Sequence, residues 1–252
     1  MKKHALLLTL ITLLGGYVTL SAQNITIGAK GGFSIPNLTS GGTGNPLNNG
    51  YSSRLGPAFG IYGEYHFSNL FSISLGLEYS SQGGKKKGFQ AFSPSAQQAA
   101  MLPENTPYLY ASYNSEAKLN YLIVPVLARF NWSICRTLPL KFVAAVGPFA
   151  GFLLNAHQVT SGSSVIYLDA AGQYPISSMQ SFDANTNIKD QLHTFNMGIN
   201  GFIGFTYNLT SKNALFIEGG GNFGFIPIQK NSSDGKNYTG AGVVTIGYSY
   251  TF

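Results

Sequence analysis

Apolar and polar residues alternate with a period of two over most of the chain after Gln23. This pattern is typical of β-strands whose two faces meet different environments. The clearest case places Phe71, Leu75 and Tyr79 on one face, with serine, glycine and glutamate between them. The alternation predicts eight strands, over about residues 25–35, 55–67, 71–80, 118–132, 140–156, 195–207, 215–225 and 244–252. The phase of the fourth strand, that is, which of its residues face inward, stays open because Leu122–Leu127 is apolar throughout.

The connections between these strands alternate in length along the chain. Three are short, around residues 68–69, 133–139 and 208–213, and four are long, around 36–53, 84–117, 157–188 and 227–237. In an up-and-down sheet, alternate connections lie at the same end, and short turns opposite long loops are typical of outer-membrane barrels. An even number of strands places both termini at the short-turn end. The long loops have room for another hairpin, so the strand count stays open.

The apolar face is unusually continuous for a water-soluble sheet and carries aromatic rings near strand ends, including Tyr65, Phe67, Tyr207 and Tyr248. Rings at these positions form girdles at bilayer interfaces. A secreted sandwich or lipocalin-like barrel is the soluble alternative, but it does not explain the ring-rich face or the final Phe252. We therefore predict an all-β, eight-stranded antiparallel up-and-down transmembrane β-barrel over residues 23–252, with short periplasmic turns, long extracellular loops and a bacterial outer-membrane location.

The N-terminal segment predicts an export signal. Met1–His4 is positively charged, Ala5–Leu20 is apolar, and Ala22 supplies a small residue at a cleavage point, so residues 1–22 are predicted to be a signal peptide. The alternative is a membrane anchor, but the apolar run is short of the roughly 20 residues a spanning helix needs. No other long apolar stretch follows, which disfavours a helical inner-membrane protein.

Composition narrows the chemistry further. Charged residues make up 10% of the chain, well under the roughly 25% of ordinary soluble domains, and a single cysteine excludes a disulfide framework or a cysteine-rich zinc site. Removal of the signal leaves 13 basic and 9 acidic residues, a scattered net charge of +4 that does not favour nucleic acid. The only basic run, Lys85–Lys87, predicts a solvated loop base or a contact with lipid headgroups.

Six charged residues fall on the polar faces of the predicted strands and are expected inside the barrel: Lys30, Glu64, Glu78, Arg129, Lys141 and Glu218. The placement of Arg129 depends on the open phase of the fourth strand. We expect a structural charge cluster in which Arg129 pairs with Glu78 and Lys30 pairs with Glu64. The alternative is a polar pathway through a narrow pore for small solutes, although an eight-stranded barrel is only wide enough for side chains.

Three segments carry a family resemblance: Asn24–Phe33 (NITIGAKGGF), Tyr121–Phe130 (YLIVPVLARF) and Val146–Asn155 (VGPFAGFLLN). Together they resemble the PorT-like outer-membrane β-barrel family, whose members combine a glycine-rich first strand with "YLxxPxxxR/K" and "GP-aromatic-xG" strands. The resemblance covers essentially the whole mature chain. It implies an eight-stranded outer-membrane barrel and does not imply one activity, since most members are described only by fold and a few act in protein secretion.

An enzyme is the least favoured class. His157 and His193 flank the third long loop together with Asp190, which leaves open an outer-membrane hydrolase or a metal site at the loop base. No recognised serine-nucleophile or H-E-x-x-H pattern occurs, and Gly219–Gly221 lacks the residues of a phosphate loop. We predict a non-enzymatic barrel without cofactor or metal, with a structural, loop-mediated binding or envelope-assembly role. Its expected partners are outer-membrane lipid, the barrel-insertion machinery and an unidentified extracellular ligand or envelope protein, and not nucleic acid.

Overall fold

The computed structural model describes residues 24–42, 44–103, 106–135 and 137–252. The predicted signal peptide, residues 1–22, lies outside these described residues and stays a prediction. Eight long strands dominate the structure: β1 (Ile25–Ser40), β2 (Gly56–His66), β3 (Phe71–Lys86), β4 (Asn114–Ser133), β5 (Leu140–Ser161), β6 (Phe195–Asn208), β7 (Asn213–Gly224) and β8 (Asn237–Thr251). The strand positions agree with the alternation in the sequence.

The eight strands close into a barrel. Each strand pairs antiparallel with the next one along the chain, and β8 pairs with β1 from Thr26–Thr251 to Ser40–Asn237. Closure gives every strand two neighbours, so no sheet edge is left with unpaired backbone groups. The predicted eight-stranded antiparallel up-and-down barrel is confirmed.

Smaller elements lie in the long loops. Phe89–Phe92 and Leu109–Ser112 form a hairpin between β3 and β4, Ser163–Ser164 pairs with Gln180–Ser181, and Ala184–Asn187 adds to the long-loop end of β5. The loops also hold a short helix and three 3-10 turns: Ala96–Ala99, Pro46–Asn48, Lys189–Gln191 and Ser232–Asp234. The additional hairpins therefore stand outside the barrel wall. Within the described ranges, no helix is long and apolar enough to cross a membrane.

Five strands run beyond their predicted ends on the long-loop side. β1 continues to Ser40, β3 to Lys86 and β5 to Ser161, while β4 begins at Asn114 and β8 at Asn237. Alternation of apolar and polar residues stops where the strands leave the membrane, but the backbone ladder does not. Gly83 in this extension has φ +113° and leaves no room for a Cβ, because that atom would stand 2.0 Å from Ala117 O.

The barrel wall exposes its apolar side chains on the outside and buries its polar side chains inside, the reverse of a water-soluble protein. Leu75 and Ile199 on the outer face are 56% and 47% exposed, whereas Ser74 and Asn200, one position away on each strand, are 2% and 1% exposed. Hydrocarbon is the environment that accepts such an outer face. The open phase of β4 is also resolved, because Arg129 is buried in the lumen.

Aromatic rings on the outer face form a continuous girdle at the short-turn end. Successive ring pairs, 4.9 to 5.9 Å between centroids, run across five neighbouring strands through Tyr65, Phe67, Phe71, Phe130, Trp132, Phe142 and Phe205. A second set, including the stacked pair Phe59 and Tyr79, lies toward the long-loop end. Two ring belts enclosing an apolar band are typical of a barrel held in a bilayer.

Candidate functional site

The lumen holds five of the six predicted charges in one buried network. Lys30 Nζ lies 2.8 Å from Glu78 Oε1, and Arg129 Nη2 donates a hydrogen bond of 2.6 Å to Glu218 Oε1. Arg129 Nε lies 3.3 Å from Glu64 Oε2, and Lys30 Nζ lies 3.8 Å from Glu218 Oε2. Alternation along each strand therefore placed these residues on the correct face.

The predicted partners within this network are wrong. Lys30 pairs with Glu78 and not with Glu64, because Lys30 stands opposite Gly60 on β2, which in turn stands opposite Glu78 on β3. Gly60 has no side chain, so the lysine reaches across β2 to the carboxylate at the same depth. Arg129 stands opposite Ser72, nearer the short-turn end, where Ser72 also donates a hydrogen bond to Glu64.

Glu218 connects the two halves of the network across the lumen. It projects from β7, accepts the hydrogen bond from Arg129 of β4, and lies near Lys30 of β1. Aromatic rings cover the cations: Lys30 Nζ is 4.5 Å from the Phe202 ring centroid, and the Arg129 guanidinium carbon is 5.3 Å from that of Tyr62. Ion pairs and rings together fill this section of the barrel, as expected for an eight-stranded interior.

Lys141 departs from the predicted cluster. It stands opposite Ser133 and Thr206 at the short-turn end of β5, is half-buried, and takes no part in the ion pairs recorded among the described residues. Its face follows from alternation, but its depth puts it near the periplasmic boundary. The buried pairs therefore contain three carboxylates and two cations, with His66 Nε2 3.7 Å from Glu64 Oε1.

An apolar layer closes the lumen on the extracellular side of these charges. Nine side chains, none more than 6% exposed, pack into one cluster: Leu38, Leu119, Tyr121, Ile123, Phe149, Leu153, Ala156, Leu192 and Ile228. This layer was not predicted, because the inner face was expected to be small and polar. The available signal was the apolar run Leu122–Leu127, which supplies apolar residues to both faces of β4.

Above this layer lies a cavity of about 440 Å³, built mainly from loop residues. Its floor is formed by four aliphatic side chains: Leu38, Leu119, Leu192 and Ile228. Its walls and rim are formed by Leu47, Tyr51, Lys86, Gln90, Ala91, Phe92, Ser93, Tyr113, Ser115, Ala117, Gln158, Ile188, Gln191, Gln229 and Asp234. Loops from all four long connections thus meet strand ends at one site. This cavity could not be predicted from the sequence, since it depends on how separate loops fold together.

Lys86 is the one lysine in the cavity lining, and its environment differs from that predicted for the basic run. Its side chain is inside because β3 continues to this residue, so the expected solvated position is wrong for Lys86. It is 7% exposed, its Nζ donates a hydrogen bond of 2.6 Å to Leu47 O, and it lies 4.2 Å from the Tyr51 ring centroid. Burial lowers the pKa of Lys86 to about 8 and raises the pKa values of Tyr51 and Tyr113 to about 12 each.

The residues of the hydrolase alternative have separate partners. His157 Nδ1 lies 3.1 Å from Asn185 Oδ1, and the His193 backbone N–H donates to Ile228 O. The Asp190 carbonyl accepts a hydrogen bond from Lys230 Nζ. Among the described residues, no group of three or more histidine, cysteine, aspartate or glutamate side chains is arranged to hold a metal ion.

The closed wall, the outward apolar band and the ring girdles define a small outer-membrane β-barrel. A family model described as outer membrane protein beta-barrel domain matches residues 21–230, and the chain belongs to this family. The protein is located in the bacterial outer membrane.

The chain is similar to several solved structures. Neisserial surface protein A (NspA) is 10% identical, with 91% of this chain and 97% of that chain covered and a TM-score of 0.42. Ail, the attachment invasion locus protein of Yersinia pestis, is 11% identical, with 91% and 99% covered and a TM-score of 0.38. OprG from Pseudomonas aeruginosa is 13% identical, with 90% and 95% covered and a TM-score of 0.37. None of the curated proteins compared with the chain matches it.

Proposed function

We propose that this barrel acts by binding a small extracellular ligand in its loop-built cavity and does not conduct solutes. The observation that carries the proposal is the cavity of about 440 Å³ directly above the apolar layer. Small-molecule sites are concave and about 300–1,000 Å³ in volume. The cavity lies in this range and combines an aliphatic floor with several serine and glutamine side chains in its walls. The floor of Leu38, Leu119, Leu192 and Ile228 makes the cavity a blind pocket.

Two successive layers argue against the pore alternative. A solute leaving the cavity toward the periplasm would have to displace the apolar layer and then separate the ion pairs of Arg129 with Glu218 and of Lys30 with Glu78. Separating a buried ion pair is costly because each charge loses its compensation in a low-dielectric interior. The resemblance to PorT-like barrels fits the same architecture and adds no activity to the proposal.

Occlusion of the cavity tests the proposal. Ser93 is exposed and lines the cavity, so Ser93→Trp fills the pocket without disturbing the barrel. Ser178 is an exposed loop serine outside the lining and supplies the matched control, Ser178→Trp. Purified protein in lipid nanodiscs is mixed with a library of neutral and charged fragments, and binding is measured by saturation-transfer NMR.

We expect a set of fragments that bind wild type and Ser178→Trp but lose their signal with Ser93→Trp. Heat-modifiable mobility on mild-detergent gels shows that each variant is folded. A library without any such occlusion-sensitive fragment would contradict the proposed function.

A further inference from the structure

The Lys86 ammonium is buried in the cavity wall without a carboxylate partner. None of the ion pairs recorded among the described residues includes Lys86. Glu116, on the neighbouring strand, is engaged by Arg54 at 2.8 Å and by Lys118 at 3.7 Å. Asp234, the acidic residue of the cavity lining, is exposed at the rim. A buried charge without a counter-ion is unfavourable, so this position favours an anion supplied from outside.

The ammonium also has unused donor capacity. A protonated lysine carries three N–H groups, and the hydrogen bond recorded for Lys86 in the described structure uses one of them, to Leu47 O. The ring of Tyr51 interacts with the positive charge but accepts no conventional hydrogen bond at its face. A ligand in the cavity can therefore accept one or two hydrogen bonds from Nζ.

The rest of the lining indicates what is attached to that anion. The floor is aliphatic, and Phe92 and Tyr113 add aromatic surface to the walls. The aliphatic floor favours an apolar body, and the serine and glutamine side chains of the walls add hydrogen-bonding groups around it. The cavity lining contains one lysine and no arginine. A lysine acts as a point charge, whereas doubly charged phosphate groups are favoured by the planar, bidentate donors of arginine.

We infer that the cavity takes a singly charged organic acid with an apolar body, whose carboxylate pairs with Lys86 while the body packs on the floor. This inference rests on the proposed function, because it names the ligand class of the same cavity. It assigns Lys86 as a binding residue that distinguishes an acid from a neutral molecule of the same shape.

The test compares two probes that differ only in charge, 4-phenylbutyrate and its neutral amide 4-phenylbutyramide. Dissociation constants are measured at pH 7 by calorimetry and saturation-transfer NMR on full-length mature protein in nanodiscs of zwitterionic lipid. We expect wild type to bind the acid at least about tenfold more tightly than the amide, which corresponds to about 1.4 kcal/mol. Lys86→Met should remove this preference by weakening the acid and leaving the amide unchanged.

Two further variants separate the site from general charge. Lys87 is the exposed neighbour of Lys86, so Lys87→Met removes one positive charge near the cavity and should keep the preference for the acid. Lys86→Arg retains the charge and should keep part of the preference. If Lys86→Met does not fold, the ratio of acid to amide affinity is compared in wild type and Lys86→Arg. A preference for the acid in both supports the inference, and equal affinities for acid and amide overturn it.

The outcomes distinguish this inference from the proposed function. Equal affinity of wild type for acid and amide, or an unchanged preference in folded Lys86→Met, would overturn the inference and leave the cavity as a binding site. Binding of neither probe by a protein that shows occlusion-sensitive binding of neutral fragments would do the same. Loss of all occlusion-sensitive binding would overturn both.

Discussion

Arg129 and Glu218 form the contact on which the lumen network depends, and their separate removal should have unequal effects. Both are buried, with 4% and 2% exposure, and their side chains meet at 2.6 Å. Arg129→Met leaves three carboxylates against Lys30 alone, and removal of one partner of a buried pair costs about 3–5 kcal/mol. Glu218→Gln leaves two carboxylates against two cations, so we expect the smaller cost of one unsatisfied polar group, about 1–3 kcal/mol.

The double variant measures the interaction directly. Once Glu218 is neutral, loss of Arg129 removes less stabilising energy, so the double variant should cost less than the sum of the single changes by about 1–3 kcal/mol. The matched control cycle combines Arg129→Met with Glu78→Gln. The structure pairs Glu78 with Lys30 instead, so this second cycle should show the weaker coupling of the two, transmitted only through the shared network.

Urea unfolding from lipid vesicles supplies the free energies. The single tryptophan of the chain, Trp132, lies on the outer face of β4 at 43% exposure, so its fluorescence reports transfer from lipid to water. Additivity in the Arg129–Glu218 cycle together with strong coupling in the Arg129–Glu78 cycle would refute the pairing, and with it the assignment of depth within the lumen.

Three further predictions concern the wall, the loops and the cavity. Leu75→Arg, on the lipid face, should cost about 2–4 kcal/mol near the midplane, and Ser74→Ala, facing the lumen, should cost much less; equal losses in urea unfolding would contradict the face assignment. Protease added to intact cells should cut the loop between β3 and β4 and spare the turn between β2 and β3, and the reverse result would invert the topology. Lys86 is protonated below its pKa of about 8, while Tyr51 and Tyr113 stay neutral because burial raises their pKa values to about 12. The affinity for 4-phenylbutyrate should therefore fall roughly tenfold from pH 7 to pH 9.5. An affinity that does not change over this pH range would show that binding does not depend on the charge of Lys86.

The orientation of side chains could be predicted from the sequence because a period of two is a property of the strand backbone. Leu75 and Ser74 needed no tertiary information to be assigned to opposite faces, and the same holds for Lys30 and Glu218. The alternation of apolar and polar residues within eight strands, together with the alternation of short and long connections between them, was likewise enough to predict the closed barrel.

Depth in the lumen could not be predicted, because it depends on the register of each hydrogen-bonded ladder. Lys30 meets Glu78 only through the alignment of both with Gly60, and irregularities such as the register shift between Asn120 and Tyr121 change such alignments locally. The cavity was missed for a related reason. Lys86 looked like a loop residue, since alternation had stopped several residues earlier while β3 continued.

The most direct test of the closed lumen beneath a ligand-binding cavity is single-channel recording in planar bilayers. Mature wild-type protein is inserted at neutral pH, and a porin added to the same membrane shows that channels are detectable. The apolar layer and the ion pairs of Arg129 and Lys30 predict no stable conductance steps from the wild type. Reproducible conductance steps from the folded wild-type barrel alone would contradict the closed lumen and favour the alternative of a narrow pore.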